Sequence, residues 1–277
     1  MTSFDEIARH YTDGDLLETI ADGVAQLVKS IHDLAVEDLA PVDEFHIGGA
    51  VATRAFLENL GVQAQDHVLD VGCGLGGASR FAAATYGCRM TGVDLTREYV
   101  ETGAELCRWL GLDDRVRLLH GNAIATDFEN DTFDKAFLLH VGMNIPDKAA
   151  LAAEAWRVLK PGGVLGIYDV MRMNEGELIF PVPWSTTPAT SFVATPEEYR
   201  NALEEAGFVL KEEHDRSAVA SEFFENLRGS ASRAAGPPPL GLHILMGTDA
   251  TDKVRNMIEH VLERTVAPVE LIAQKPG

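Results

Sequence analysis

Short apolar segments alternate with helical patterns along the middle of the chain. Five runs rich in apolar and β-branched residues are typical of strands, at 67–72, 89–95, 116–123, 133–140 and 164–170. Between them, apolar residues recur at helical spacing, at 77–87, 97–111 and 148–163. This alternation predicts a parallel sheet with helices on both faces.

The segment before this region shows helical patterns without intervening strands. Residues 15–34 and 52–62 carry apolar residues at helical spacing, and the second pattern stops at Gly61. We therefore expect a helical N-terminal lid segment over residues 1–60 and a larger domain over 61–277.

The C-terminal part adds two strands and a cap. Residues 195–208 begin with a helix-capping signature, in which Thr195 is followed three residues later by Glu198. Strand-like runs at 209–217 and 269–276 raise the number of strands to seven. The expected fold is an α/β, Rossmann-like seven-stranded, mostly parallel sheet with helices on both faces.

Two stretches do not fit the alternation and are predicted to form a cap. Residues 171–194 are rich in Pro and Thr, and a loop of this length is more often a functional lid than a linker. Residues 218–265 read as two helices divided by the breaker at 236–243. We expect both stretches to be cap insertions.

Composition narrows the range of partners. The 277 residues include 43 acidic and 23 basic ones, a formal net charge of −20, which disfavours DNA, RNA and anionic membranes. The acidity is either a solubility feature or a means of steering a cationic substrate. No apolar run approaches a membrane span, the N-terminus does not resemble a signal peptide, and the cysteines (Cys73, Cys88 and Cys107) form no C-x-x-C pair. We expect a cytoplasmic protein.

A glycine run follows the first predicted strand. Gly72, Gly74 and Gly77 match the spacing of the dinucleotide fingerprint, so the run alone indicates a nucleotide-type ligand. Asp70, two residues before the run, would repel a pyrophosphate but attract the ammonium group of S-adenosylmethionine (SAM). Asp94, at the end of the second strand, can bind a ribose diol in either ligand class.

Several motifs in order resemble the class I SAM-dependent methyltransferases of small molecules. They are VLDVGCGLGG (68–77), TGVDL (91–95), GNA (121–123), FDKAFLLH (133–140) and RVLKPGGVLGIYD (157–169). Within that superfamily the chain is similar to ubiquinone/menaquinone-biosynthesis and sarcosine/dimethylglycine methyltransferases; for the latter, the likeness includes FHIGG (45–49).

The resemblance implies a set of cofactor contacts. Asp70 and the glycine run (Gly72, Gly74 and Gly77) would hold the methionine end of SAM, and Asp94 would bind the ribose. Leu95 would pack on the adenine, with Asn122 and Ala123 at its edge. The family commonly has an acid where this chain has Asn122, so that hydrogen bond is expected to be weaker.

His140 ends the fourth strand and would face the sulfonium and the methyl acceptor. It is the candidate general base, or it only packs on the cofactor. Met143 is expected to form pocket wall. Asn144 either binds the substrate or makes an Asx turn.

Three residues outside the core motifs are candidate substrate contacts. His46 borders the predicted site, or is a structural histidine. Tyr11 lies in the segment that closes over the ligand in this family, or is a surface tyrosine. Trp184, in a Pro-rich loop, is a lid aromatic or a loop anchor.

The predicted function is SAM-dependent methylation of a small molecule, with S-adenosylhomocysteine (SAH) as product. N-methylation of a small amine comes first, and S-methylation of a thiol or sulfide and O- or C-methylation of a phenol or quinone precursor are alternatives. Two alternatives belong to other functional classes: an NAD-dependent oxidoreductase and a non-catalytic SAM-binding regulator. We expect no metal, since the histidines do not show the spacing of metal ligands. A homodimer is a further expectation.

Overall fold

The computed structural model describes residues 15–27, 30–231, 236 and 238–277. Its seven strands are β1 (His67–Val71), β2 (Arg89–Asp94), β3 (Val116–His120), β4 (Phe133–Leu139), β5 (Leu159–Arg172), β6 (Val209–Asp215) and β7 (Val266–Gln274). They form one sheet in the order β3-β2-β1-β4-β5-β7-β6. β1 to β5 are parallel, and β7 runs antiparallel to both β5 and β6. The predicted seven-stranded, mostly parallel Rossmann-like sheet is confirmed.

Helices cover both faces of the sheet. They are α1 (Leu16–Gln26), α2 (Val36–Asp43), α3 (Gly49–Leu60), α4 (Gly77–Tyr86), α5 (Arg97–Trp109), α6 (Lys148–Val158), α7 (Pro196–Ala206), α8 (Ser217–Ala231), α9 (His243–Met246) and α10 (Ala250–Leu262). Apolar side chains of α3, α4 and α5 fill one face, and those of α6 and α7 fill the other. Because the chain leaves β1 and β4 toward opposite faces, a crevice opens between their carboxyl ends, where ligands bind in folds of this type.

The N-terminal segment differs from the single helix expected over 15–34. α1 ends at Gln26, and the backbone is extended at Ser30 and again at Leu34. Between these points the Ser30 side chain accepts a hydrogen bond from the backbone N of His32 and caps a short 3₁₀ turn. A polar residue that caps a turn competes with helix continuation, and periodicity alone does not detect this.

Two element boundaries in the second half of the chain also differ from those predicted. The helix predicted over 148–163 ends at Val158, because Leu159 pairs with Phe133 of β4 and already belongs to β5. The last strand begins at Val266 rather than at residue 269, since Val266 pairs with Arg172. The predicted capping box of α7 is present: the Glu198 backbone N donates to the Thr195 hydroxyl at 3.2 Å, and the Thr195 backbone N donates to the Glu198 carboxylate at 2.7 Å.

The two predicted cap stretches pack together over the carboxyl ends of β4 and β5. Trp184 from the first, and Phe224 and Met257 from the second, share a buried apolar cluster with Met143 and Val170. Within the described residues, no helix is both long and apolar enough to cross a membrane. The division into domains at residue 60 stays a prediction.

Candidate active site

The glycine run forms a tight turn between β1 and α4. Gly72 has φ +71°, and a Cβ added to it would lie 2.5 Å from the side chain of Val141. A larger residue would therefore meet both backbone strain and a clash. The turn brings backbone N–H groups close to the carboxyl end of β2.

Asp94 holds this turn from the end of β2. One carboxylate oxygen accepts from the backbone N of Gly74 and the other from the backbone N of Thr96, both at 2.8 Å. Each oxygen keeps a lone pair for another donor, such as a ribose hydroxyl. Burial raises the pKa of Asp94, and the two backbone hydrogen bonds oppose that shift.

Asp70 points from β1 into the same space. It is buried and accepts a hydrogen bond from the Ser79 hydroxyl at 2.7 Å. Burial raises its pKa to about 7, and the Ser79 hydrogen bond opposes this. The site therefore favours a cation beside Asp70, because a positive charge would bring that pKa down again.

A cavity of about 150 Å³ lies between these groups; we call it the loop cavity. Its walls include most of the cofactor residues predicted from sequence, namely Asp70, Gly72, Gly74, Asp94, Leu95, Asn122, Ala123 and His140. Asn144 also lines it. The Asn122 side-chain oxygen accepts from the backbone N of Ile124 at 3.2 Å.

Gly77, also predicted to bind the cofactor, packs between two helices instead. It lies outside the wall of the loop cavity, at the start of α4, where a Cβ would be 2.5 Å from the Cβ and 2.9 Å from the backbone O of Asp43. The neighbouring Asp43 and Arg80 form a buried ion pair at 2.7 Å. Gly77 thus lets α4 pack closely against the end of α2.

His140 follows β4 in a left-handed conformation, with φ +54°. Its ring stacks on Tyr168, with centroids 5.4 Å apart and planes at 9°, and Tyr168 is itself held by a hydrogen bond to the backbone O of Ile47. The buried Nε2 of His140 has no hydrogen-bond partner within the described part of the chain. Burial, and then the nearby His46, lower the pKa of His140 well below its usual value, so the ring is neutral at pH 7.

A larger, mostly apolar cavity adjoins the first. Its volume is about 790 Å³, and we call it the apolar cavity. Met143 and Trp184 line it together with side chains from the second cap stretch, among them Phe223, Phe224, Leu227, Val254 and Met257. The Trp184 indole N–H donates to the Ser191 hydroxyl at 2.9 Å, which fixes the ring in the wall.

The two cavities meet at a shared wall. Four described residues line both cavities: Glu44, Phe45, His46 and His140. His46 is buried, and its Nε2 lies 3.0 Å from the Thr53 hydroxyl and 3.2 Å from the backbone O of Gly49. Burial lowers the pKa of His46 to about 4.

The sequence did not single out Glu44 or Phe45 as site residues, although Phe45 begins the quoted FHIGG segment and Glu44 directly precedes it. The side chains of the second cap stretch were missed as well. Their signal is weak, since a glutamate at a helix end and aromatic residues on a helix are common. Tyr11 lies outside the described residues.

Comparisons with known proteins show that part of the chain is similar to methyltransferases. Residues 68–163 match the family model described as "Methyltransferase domain". A sterol 24-C-methyltransferase from Eremothecium gossypii is 34% identical over 171 residues, which cover 57% of this chain and 44% of that protein. The methyltransferase GfsG from Streptomyces halstedii is 30% identical over 171 residues, 61% of each chain. The chain thus covers less than two thirds of these relatives.

Solved structures share the fold at lower identity. Geranyl diphosphate C-methyltransferase from Streptomyces coelicolor A3(2), in complex with Mg²⁺, geranyl-S-thiolodiphosphate and SAH, has a TM-score of 0.72 at 20% identity, with 99% of this chain and 98% of that one covered. The [4+2]-cyclase SpnF has a TM-score of 0.71 at 22% identity, with 100% and 97% covered. A sarcosine dimethylglycine methyltransferase from Galdieria sulphuraria, described as putative, has a TM-score of 0.64 at 21% identity, with 81% and 84% covered.

Proposed function

We propose that this chain, whose residues 68–163 form a class I SAM-dependent methyltransferase domain, methylates a bulky apolar small molecule. The observation that carries the proposal is the shared wall between the two cavities. SAM in the loop cavity would present its methyl group at that wall, and an acceptor in the apolar cavity would meet it there.

The loop cavity suits SAM better than a dinucleotide. Asp70 supplies a buried carboxylate for the ammonium group, whereas a pyrophosphate would be repelled by it. Asp94 keeps lone pairs for the ribose hydroxyls, and Leu95, Asn122 and Ala123 line the region where an adenine would lie. When bound, SAM supplies an activated methyl group on a sulfonium.

The chain's own contribution is placement and the exclusion of water. Methyl transfer is an in-line displacement, so holding the acceptor atom in line with the methyl group lowers the barrier. The stacking of His140 on Tyr168 fixes its ring at the shared wall. Trp184 and Met143 cover the acceptor side.

The apolar cavity supports the class of acceptor. A volume of about 790 Å³ lies in the upper part of the range for small-molecule sites and exceeds what a small amine needs. The described wall contains no lysine or arginine that could pair with a phosphate group. A neutral ring system or a long isoprenoid chain fits these walls better than a phosphorylated acceptor.

N-methylation of a small amine, the first expectation from the sequence, remains the alternative. Its support is the acidity of the site, where Asp70, Asp94 and Glu44 all line the loop cavity. A cationic amine that approached the shared wall would be attracted by Glu44 in particular.

The test is methyl transfer from labelled SAM to a panel of acceptors. The panel contains a sterol with a side-chain double bond, 2-methyl-6-phytyl-1,4-hydroquinone, geranyl diphosphate, sarcosine and dimethylglycine. We expect label in the sterol or the hydroquinone and little in the others. Labelling of sarcosine or dimethylglycine alone would favour the alternative, and SAM binding without transfer to any acceptor would contradict the proposal.

A cavity-filling variant serves as the matched control. Val254 lines the apolar cavity from α10 and is not part of the loop cavity. Val254→Trp should lower methylation of a bulky acceptor at least tenfold while SAH binding stays within about threefold, because only the acceptor space is filled. Unchanged methylation would place the acceptor elsewhere.

A further inference from the structure

Glu44 lies where the methyl group would cross between the cavities. It follows the last residue of α2, is 5% exposed, and lines both the loop cavity and the apolar cavity. The Thr53 hydroxyl donates to one oxygen of its carboxylate at 2.7 Å and so fixes its direction.

No lysine or arginine in the described part of the chain forms a direct ion pair with this carboxylate. His46 Nε2 lies 3.5 Å from it, but burial lowers the pKa of His46 to about 4, so that ring is neutral at pH 7. Arg80 is paired with Asp43 at 2.7 Å, so its positive charge compensates Glu44 only in part. Burial raises the pKa of Glu44, the direction expected for a buried carboxylate without a full counter-charge.

The other three acids of the loop cavity have assigned roles, and one of them, Asp43, is paired with Arg80. Asp94 accepts two backbone hydrogen bonds and would face the ribose, and Asp70 would face the ammonium group. Of the four acids, Glu44 is the one that also lines the apolar cavity, on the acceptor side. The group of SAM that comes to this wall is the sulfonium, whose positive charge disappears when the methyl group leaves.

We infer that Glu44 is the counter-charge of the sulfonium, and that it makes the site bind the charged donor SAM more strongly than the neutral product SAH. This inference rests on the proposed function only in taking SAM as the cofactor. It requires no knowledge of the acceptor. It assigns Glu44 a cofactor contact that follows from its place on the shared wall.

The experiment compares three ligands by titration calorimetry at pH 8, because an alkaline pH favours the ionised form of the buried carboxylates. SAM carries a sulfonium, sinefungin carries an amine in the corresponding place, and SAH is neutral there. Glu44→Gln should weaken SAM and sinefungin by roughly tenfold or more, the effect of losing one nearby charge in a partly buried site. SAH binding should change by less than about threefold.

Asp70→Asn is the matched comparison. All three ligands carry the same ammonium group, so the loss of Asp70 should weaken all three alike. Glu58→Gln removes an exposed carboxylate from α3 and should leave all three affinities unchanged. A fall in the ratio of SAM affinity to SAH affinity is therefore the effect expected of losing the Glu44 charge and not of losing the Asp70 charge.

The inference is overturned if Glu44→Gln weakens the binding of SAM and of SAH by the same factor, or if it weakens the binding of neither ligand. Failure of the unaltered protein to bind any of the three ligands would instead contradict the proposed function.

The glutamine of Glu44→Gln keeps the shape of the side chain and can still accept a hydrogen bond from Thr53, and a thermal melt checks that the variant folds. If Glu44→Gln does not fold, Thr53→Val keeps the charge and removes the hydroxyl that orients it. This variant should then lower the SAM affinity severalfold more than the SAH affinity, and an unchanged ratio would overturn the inference.

Discussion

Substitution of Gly77 by alanine tests how the glycine turn is coupled to the wall that carries Glu44. The added methyl group would lie 2.5 Å from the Cβ and 2.9 Å from the backbone O of Asp43. Cβ contacts below about 3 Å do not occur, so α2 or α4 must move. Asp43 is also half of the buried ion pair with Arg80, which holds the two helices in register.

The cost follows from overpacking. Inserting a methyl group into a tightly packed contact costs roughly 1–3 kcal/mol, and any misalignment of the Asp43–Arg80 pair adds to it. We expect Gly77→Ala to lower the free energy of unfolding by that amount and to weaken SAM binding, because the displaced end of α2 continues into Glu44. Urea unfolding followed by circular dichroism measures the first effect, and calorimetry the second.

Gly229 provides the control. It lies in α8, and a Cβ added there would have no neighbour within 4 Å. Gly229→Ala should therefore stabilise the protein by about 0.5–1 kcal/mol, the ordinary gain for a helical glycine. If Gly77→Ala proved as stable as the unaltered protein, the close packing of α2 on α4 would be wrong.

Three further predictions concern the cofactor and the chemistry. Asp94→Ala should weaken SAH binding by about 1.5–3 kcal/mol or more, since it deletes charge-assisted hydrogen bonds; unchanged affinity in calorimetry would remove Asp94 from the cofactor site. His140→Ala should keep SAH affinity within about threefold while turnover falls by roughly 10²–10⁴ if His140 is the base; a parallel loss of both would make it a cofactor contact instead. SAH affinity should rise with pH up to the Asp70 pKa of about 7, because the ammonium group requires the ionised carboxylate and protons compete with it below that pH. Titrations between about pH 5.5 and 7.5 should show this rise in the unaltered protein and lose it in Asp70→Asn.

The sequence predicted what is encoded locally. The strand, the glycine turn and Asp70 lie within ten residues of one another, and the order of the later motifs placed Asp94 and His140 at the same edge of the sheet. The capping box at Thr195 was also readable, because each of its two hydrogen bonds spans only three residues.

The remaining features depend on contacts between distant segments. Glu44 becomes a site residue because Thr53 orients it and because α2 ends beside the turn before α4, and neither contact has a sequence signature. The apolar cavity is assembled from the end of α2, the turn after β4, Trp184 and the second cap stretch. Gly77 fits the fingerprint spacing, yet the same spacing serves helix packing, so sequence alone did not separate the two roles.

The most direct test of the account is titration calorimetry of the purified protein with SAH and, in parallel, with NADH. The account predicts saturable binding of SAH and none of NADH, because Asp70 favours an ammonium group over a pyrophosphate. Binding of NADH without SAH would contradict it and would mean that the glycine turn cradles a pyrophosphate.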